Sequence, residues 1–424
     1  MDTVIFRNVT IQDPKGPHHQ HQADVVVLNG TIASVDGPEQ AQAEGAVVIE
    51  GGHLSPGWLD LRVHLTDPGC EWKEDLDSLS QAAIAGGFTR VVTLPNTDPV
   101  IDNRGLIKSL IFRAEHLPID VLPCGALSTG AAGSELAELY DMAQAGAVAF
   151  TDGLRSVNSP GLLLRALQYL KPFDGVLFNT PLESSLAPHA EIGESPTSMR
   201  MGLKGIPAIA EEMMLERDLK LLHYFPHRLH VGPITTAGGI EILRRTKADH
   251  PQLTIETSAL YLLLDDRENT AFHSYTKVYP PLREKAAVNA LRAAVADGLI
   301  DAISSSHHPQ SIEEKKHDFP TAEFGAETLE VAFAAAWTGL RQAAVPLERL
   351  IAALTSGPRK VLKLPVQSIV PGAPADLTHF DPEAEWAVAK SDLRSKSRNN
   401  PLIGRTLTGR PQHVVAKGRL HVCH

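Results

Sequence analysis

SPGWLDLRVHLTDPG, residues 55–69, opens a rhythm that repeats through most of the chain. An apolar strand, WLDLRVHL (58–65), runs into a turn of Asp, Pro and Gly, and the helical stretch DSLSQAAIAGG (77–87) follows. Apolar strands alternating with helical segments are the pattern of βα units and a parallel sheet. Seven further strands read the same way: TRVVTLP (89–95), IDVLPCGA (119–126), AVAFTD (147–152), GVLFNT (175–180), RLHVGPI (228–234), LTIETSAL (253–260) and DAISSS (301–306). Helical segments such as ALRAAVADG (290–298) lie between them. Eight such units predict an α/β fold, a (β/α)8 TIM-type barrel, over residues 53–359.

Outside those residues the language changes. VIFRNVTI (4–11), ADVVVLNGTIASV (23–35) and AVVIE (46–50) alternate apolar and polar residues between Gly, Asp and Pro turns, the mark of half-buried antiparallel strands. SIVPGAPADLTHFDP (368–382) and TLTGRPQHVVAKGRLHV (406–422) return to it. The expectation is that segment 1–52 and segment 360–424 join in one small composite β-sandwich domain beside the barrel.

Composition narrows what such a protein does. With 43% hydrophobic and 21% charged residues, the 424-residue chain has the make-up of a compact enzyme-like fold. A formal net charge of −11 argues against nucleic acid as a partner, since phosphate binding draws on surplus Lys and Arg. Cys70, Cys124 and Cys423 stand in no paired spacing, which suggests neither a disulfide framework nor a cysteine zinc site and suits a reducing cytoplasm. No run approaches the ~20 apolar residues of a membrane helix, and MDTVIFRNVTIQD has no basic segment followed by an apolar one. A cytoplasmic protein without a membrane partner is expected.

Reactive groups in such a barrel sit at the C-terminal ends of the strands. There the chain resembles the dihydroorotase family of the amidohydrolase superfamily, metal-dependent cyclic-amide hydrolases. The resemblance starts in SPGWLDLRVHLTDPG and continues in family order through TLPNTDP (93–99), GAVAFTDG (146–153), SMRMGLKGIPAIAEE (198–212), KVYPPLRE (277–284), HHPQSIEEK (307–315), GAPADLTHFDP (372–382) and SKSRNNP (395–401). It implies a binuclear metal centre with a His-x-His pair on strand one, a bridging carboxylate on strand four, histidines on strands five and six, and an Asp general base on strand eight.

Several of those positions hold other residues here. Residues i and i+2 of a strand share a face and can grip one metal, but the strand-one pair is Arg62 and His64, and a permanently protonated guanidinium has no lone pair to give. Asp152 stands at the bridging carboxylate. Strand five has no histidine; the aligned residue is Asn179 or Thr180, depending on where a gap is placed. Pro233 replaces the strand-six histidine, and Ser306 replaces the base, a loss that alone costs ~10²–10⁴ in rate. The resemblance also implies substrate contacts, where Thr66, Tyr279 and Gln310 replace the family's Arg, Asn and His and only Asn96 is kept. These ten positions are therefore vestigial candidates: Arg62, His64, Asp152, Pro233 and Ser306 for catalysis, Thr66, Asn96, Tyr279 and Gln310 for substrate, with Asn179 or Thr180 on strand five.

Arg62 has two readings: it occupies the vacated metal site as a cation paired with Asp152, or it extends into a solvent-filled mouth. His308 shares strand parity with Ser306, so His64, Asp152 and His308 could form a rearranged one-metal site. His230, three residues before Pro233, reads as packed behind the barrel wall. His18, His19 and His21 in PKGPHHQHQ (14–22) read as a solvated loop, with adventitious metal binding the other reading. STGAAGSELAELYD (128–141) lacks the Gly-Lys-Ser/Thr of a phosphate loop and reads as a loop entering a helix.

The resemblance extends to inactive dihydroorotase-like subunits, which associate with aspartate carbamoyltransferase, the preceding enzyme of pyrimidine synthesis. It implies a non-catalytic protein without metal or other cofactor, in a homo- or hetero-oligomer with the carbamoyltransferase catalytic chain, and makes the barrel-mouth loops and LTDPGCEWKED (65–75) plausible contacts. The alternative is an active amidohydrolase with a mononuclear zinc site. A third reading, a sensor for a dihydroorotate-like ligand, is opposed by the changes at Thr66, Tyr279 and Gln310.

Overall fold

The computed structural model describes residues 3–37 and 45–424. The chain begins in a mixed sheet: β1 (Thr3–Ile11), β2 (Gln22–Leu28) and β3 (Thr31–Asp36) run antiparallel, while β4 (Val47–Glu50) and β5 (His53–Pro56) pair parallel with β1. Eight parallel strands follow: β6 (Trp58–Val63), β7 (Phe88–Thr93), β8 (Asp120–Gly125), β9 (Ala149–Phe150), β10 (Leu177–Asn179) and, after the short pair β11 (Ile192–Gly193) and β12 (Gly205–Ile206), β13 (Leu229–Val231), β14 (Leu253–Ser258) and β15 (Ala302–Ser304). The parallel sheet closes from β15 back to β6 through a bridge between Val63 and His307, with the His64 amide donating to the His307 carbonyl at 2.8 Å. This is the barrel expected from the repeated units.

The C-terminal strands β16 (Leu377–Ala387), β17 (Thr406–Ala416) and β18 (Arg419–Val422) complete the first sheet in the order β18-β17-β16-β5-β1-β2-β3, with β4 on β1. The two ends of the chain therefore do form one composite unit, as a continuous mixed sheet that also takes in β5. Its seam with the barrel is aromatic: Trp58 at the start of β6 stacks on Phe333 at 4.5 Å and meets Phe88 and Phe380. Gly87 lies against that ring with φ +83°, and a Cβ there would come within 2.7 Å of Trp58, so only glycine lets the chain enter β7 at this point.

Side chains alternate between two apolar layers. Leu177, Leu229, Val231, Leu253, Ile255 and Ile303 pack outward with the helices, while Phe178, Ala302, Leu59 and Cys124 fill the barrel interior. Helices start on capping side chains: Asp75 accepts from the Ser78 amide at 2.8 Å ahead of Leu76–Ala85, and Ser159 caps Pro160–Leu170. PKGPHHQHQ is a run of turns and STGAAGSE a loop leading to the helix Leu139–Ala145, as read from sequence. Among the described residues no helix is long and apolar enough to cross a membrane.

Candidate functional site

The alternation of the strands decides what reaches the barrel mouth. Thr180 and Asn179 close β10, and since Leu177 faces the helices and Phe178 the interior, Asn179 turns outward and Thr180 inward. Asn179 accordingly accepts from the Val157 amide at 3.1 Å and donates to Asp218 on the helix Ile209–Tyr224 at 2.6 Å. Thr180 is the strand-five residue of the mouth: its hydroxyl accepts from Arg62 Nη1 at 3.2 Å.

Arg62 is the centre of the site. It is 4% exposed, and its Nε donates to Glu256 Oε1 at 2.6 Å. Glu256, on β14, also accepts from Ser304 Oγ at 2.8 Å and from His230 Nε2 at 2.9 Å, and His230 Nδ1 accepts from Thr254 Oγ1 at 2.9 Å. Burial alone would raise the Glu256 carboxyl, but the guanidinium and His230 outweigh it and hold the group down at about 2. Both sequence readings of Arg62 are thus corrected: its partner is Glu256 rather than Asp152, and it is not in solvent. His230 is corrected as well. It sits between outward-facing Leu229 and Val231, so its ring points into the interior, where it lies 4.4 Å from Phe178. Parity counted back from Pro233 misled because β13 ends at Val231.

Asp152 is engaged elsewhere, accepting from the Ser128 amide at 2.9 Å and the Ser128 hydroxyl at 2.6 Å. Burial raises its carboxyl above the ordinary range despite those bonds. His64 and His308 do meet, with ring centroids 4.2 Å apart and edge to face. His64 Nε2 donates to the Asn96 carbonyl at 3.2 Å while its Nδ1 is buried without a partner. Burial pushes His64 down to about 4 and His308 well below its ordinary value, which leaves both rings neutral near pH 7. The trio His64, Asp152 and His308 is therefore only two-thirds assembled. Among the described residues no three His, Cys, Asp or Glu side chains are placed to hold one metal ion.

A binuclear centre needs several N or O donors around ions ~3.5–4 Å apart. Here Arg62, Pro233 and Thr180 face that space, with Ser306 beside them at φ +52° and 3.4 Å from Ser304 Oγ, so the residues present do not fit such a centre. What remains open is a void of about 20 Å³, room for about one water, beside the unpartnered Arg62 Nη2.

The positions implied for substrate are tied into the scaffold. Thr66 donates to the Glu74 carbonyl at 2.6 Å; Gln310 accepts from Lys73 at 2.8 Å and donates to the Phe324 carbonyl at 2.7 Å. Tyr279 lies over Phe324 at 5.6 Å. Asn96 shapes its turn, donating to the Asp152 carbonyl at 3.0 Å and accepting from the Leu154 amide at 3.1 Å.

A second buried cluster lies just outside the junction of β6 and β15 and was not anticipated. His307 Nε2 donates to Glu74 Oε2 at 2.5 Å and its Nδ1 faces the Thr328 and Leu329 amides at 3.3 Å; burial alone would lower the imidazole, but the Glu74 and Glu327 carboxylates outweigh it and raise it above its ordinary value. Glu327 accepts from Asn400 at 2.7 Å, and Glu330 from the Arg394 and Ser395 amides at 2.8 and 2.9 Å. SKSRNNP is thus bonded to the rim cluster through Ser395 and Asn400. The signal for Glu256 was present in LTIETSAL, the one charged side chain of a strand otherwise free of charge, which needs a partner when buried.

A model of the family described as Dihydro-orotase-like matches residues 51–237. The chain is 36% identical to a dihydroorotase of Pelotomaculum thermopropionicum, with 98% of each chain covered, and 38% identical to one of Anaeromyxobacter dehalogenans, covering 93% of this chain and 92% of that one. In fold it is similar to the L-hydantoinase of Arthrobacter aurescens, with a TM-score of 0.85 at 23% identity, covering 100% of this chain and 98% of that one.

Proposed function

Because the chain belongs to the dihydroorotase family, we propose that it is a dihydroorotase-type protein of pyrimidine biosynthesis that does not itself catalyse, and that it acts as a structural or regulatory partner of aspartate carbamoyltransferase. The observation that carries the reading is the 2.6 Å ion pair of Arg62 with Glu256, in which a guanidinium with no lone pair to give stands where metal donors are required and engages the one carboxylate beside it. Function then rests on the surface. Trp72, 64% exposed in LTDPGCEWKED, is an aromatic side chain of the kind that anchors interfaces.

A second reading is an active cyclic amidohydrolase with an atypical one-metal site. The names of the relatives favour it, as does the contact of His64 with His308 beside an unpartnered Nδ1. Zinc would then be the cofactor, with those two imidazoles as its donors.

Two measurements decide. The purified protein, assayed for interconversion of dihydroorotate and carbamoyl aspartate with and without added zinc, is expected to show no turnover above background and no stoichiometric zinc. Zinc-dependent turnover abolished by His64→Ala establishes the second reading instead. Co-expressed with the carbamoyltransferase of the same organism, the chain is expected to co-elute in gel filtration through an interface of at least ~1,000 Å². Separate elution, with a fully assembled transferase, removes the partnership.

A further inference from the structure

Away from the barrel mouth, the composite sheet sets two imidazoles nitrogen to nitrogen. His379 of β16 stands directly opposite His413 of β17, and their Nδ1 atoms lie 3.2 Å apart. We infer that this pair is a binding site for a divalent transition-metal ion of the kind imidazole favours, zinc, nickel or copper, with both Nδ1 atoms as donors and water in the remaining positions.

His379 is 1% exposed and is fixed on its far side. Its Nε2 meets the Gly51 carbonyl at 2.8 Å, and since a carbonyl only accepts, the ring proton stays on Nε2 and the Nδ1 lone pair points at His413. Gly52 has φ +76°, and a Cβ there would come within 2.6 Å of His379 Nε2, so the turn before β5 leaves room for the ring only as glycine. Beyond the pair the register of β16 and β17 slips between His379 and Phe380, the kind of bulge that re-aims a side chain. His413 is partly exposed, which gives an ion a way in. Ligation needs neutral imidazoles. Burial lowers both rings and takes His379 to about 4 against the opposing Gly51 bond, so both are neutral near pH 7. The hydrogen bond between the rings places the second proton on His413 Nδ1. Binding moves that proton to His413 Nε2 and releases none on balance, leaving two lone pairs for one ion. With each nitrogen ~2.0–2.1 Å from the ion, the 3.2 Å separation corresponds to an N–metal–N angle of roughly 100°, between the octahedral and tetrahedral values. The histidines of PKGPHHQHQ lack that geometry: the His18 and His21 ring centroids are 6.3 Å apart, and His19 faces Glu348. An ion on the pair bridges β16 and β17 at their bulge and, through His379, holds the turn that leads into β5. With two protein donors it exchanges freely, so protein purified without added metal is expected to carry none.

Calorimetric titration of the full-length protein, without a histidine tag and stripped with chelator, tests this with Ni²⁺, Zn²⁺ and Mg²⁺ as probes. The background is His18→Gln/His19→Gln/His21→Gln, which removes the surface loop as a competing site. A single Ni²⁺ or Zn²⁺ per chain is expected to bind below millimolar concentration and Mg²⁺ is not, and adding His413→Gln should weaken Ni²⁺ at least about tenfold. Adding His64→Ala instead should leave binding unchanged, which separates this site from the barrel mouth. Ni²⁺ should also raise the melting temperature of the background protein and not that of the His413→Gln variant. If that variant does not fold, diethyl pyrocarbonate labelling of the background protein, mapped by mass spectrometry, decides: Ni²⁺ should shield His413 and leave the exposed His116 labelled. Equal Ni²⁺ binding with and without His413, no binding below millimolar concentration, or labelling of His413 that Ni²⁺ leaves unchanged overturns the proposal. Mg²⁺ bound as tightly as Ni²⁺ overturns the assignment of the ion class.

Discussion

The two buried charge clusters of the barrel, Arg62–Glu256–His230 inside it and Glu74–His307–Glu327–Glu330 at its rim, each set a histidine beside buried glutamate, but only the first has an arginine, and their electrostatics are opposite. In the first a permanent cation faces one carboxylate, and Glu256 stays ionised down to about 2. In the second Glu74 and Glu327 face the His307 imidazole, and burial together with repulsion between carboxyls raises Glu327 and pushes Glu330 up to about 8. The difference teaches what Arg62 does. The inward acid on β14 is neutralised by a guanidinium held to it, whereas at the rim burial and repulsion between carboxyls favour the protonated forms of Glu327 and Glu330.

The largest expected effect is therefore at Arg62. Arg62→Met strands Glu256 in a fully buried site and should cost ~3–5 kcal/mol in urea unfolding at pH 7. The double variant Arg62→Met/Glu256→Leu should recover much of that loss, because the stranded charge goes with it. An unchanged unfolding midpoint in the single variant would break the comparison at its root.

How far these clusters were legible in the sequence follows from how each is built. The eight strands were readable because each is a short apolar run next to a helical segment. Glu256 was not paired with Arg62, 194 positions away, because only closure of the barrel brings β6 opposite β14. His230 and Thr180 depend on which way three-residue strands face, and β10 and β13 are too short for parity to be counted from a residue beyond their ends. The rim cluster draws on Glu74, His307, Glu327 and Asn400, four segments that no local pattern connects.

Acid comes next in size. Glu256 has its folded value at about 2 against an ordinary 4.5, so the stability it contributes is fully present above pH 4.5 and is lost as pH falls toward 2. The loss is on the order of 3 kcal/mol, and in Glu256→Gln this part of the acid limb should flatten. An acid limb identical in wild type and variant would show that Arg62 does not hold the carboxylate ionised.

The rim responds in the other direction. Glu330, at about 8 when folded, binds a proton that the unfolded chain has released above its ordinary 4.5, so stability declines as pH rises from that value to 8. Between pH 6 and pH 8 the decline should be on the order of 2 kcal/mol in wild type and smaller in Glu330→Gln, read from urea midpoints at the two pH values. Stability that stays flat or rises over that interval would mean that Glu330 is ionised in the folded protein and would erase the contrast with the interior.

The smallest effect separates the carboxylate's hold on Arg62 from the rest of its surroundings. Thr180 accepts from Arg62 Nη1 at 3.2 Å and donates to the Gly153 carbonyl at 3.1 Å, so Thr180→Val removes one charge-assisted and one neutral hydrogen bond, both long, without changing the shape of the site. A neutral bond of this kind contributes about 1 kcal/mol, while a charge-assisted one contributes about twice that. The variant should therefore lose about 1–2 kcal/mol at pH 7 and keep the wild-type acid limb, because Nε remains on Glu256 at 2.6 Å. A loss approaching that of Arg62→Met would place the anchoring of the guanidinium at β10 rather than β14. The interior cluster would then be held by its hydroxyl neighbours as much as by its opposite charge.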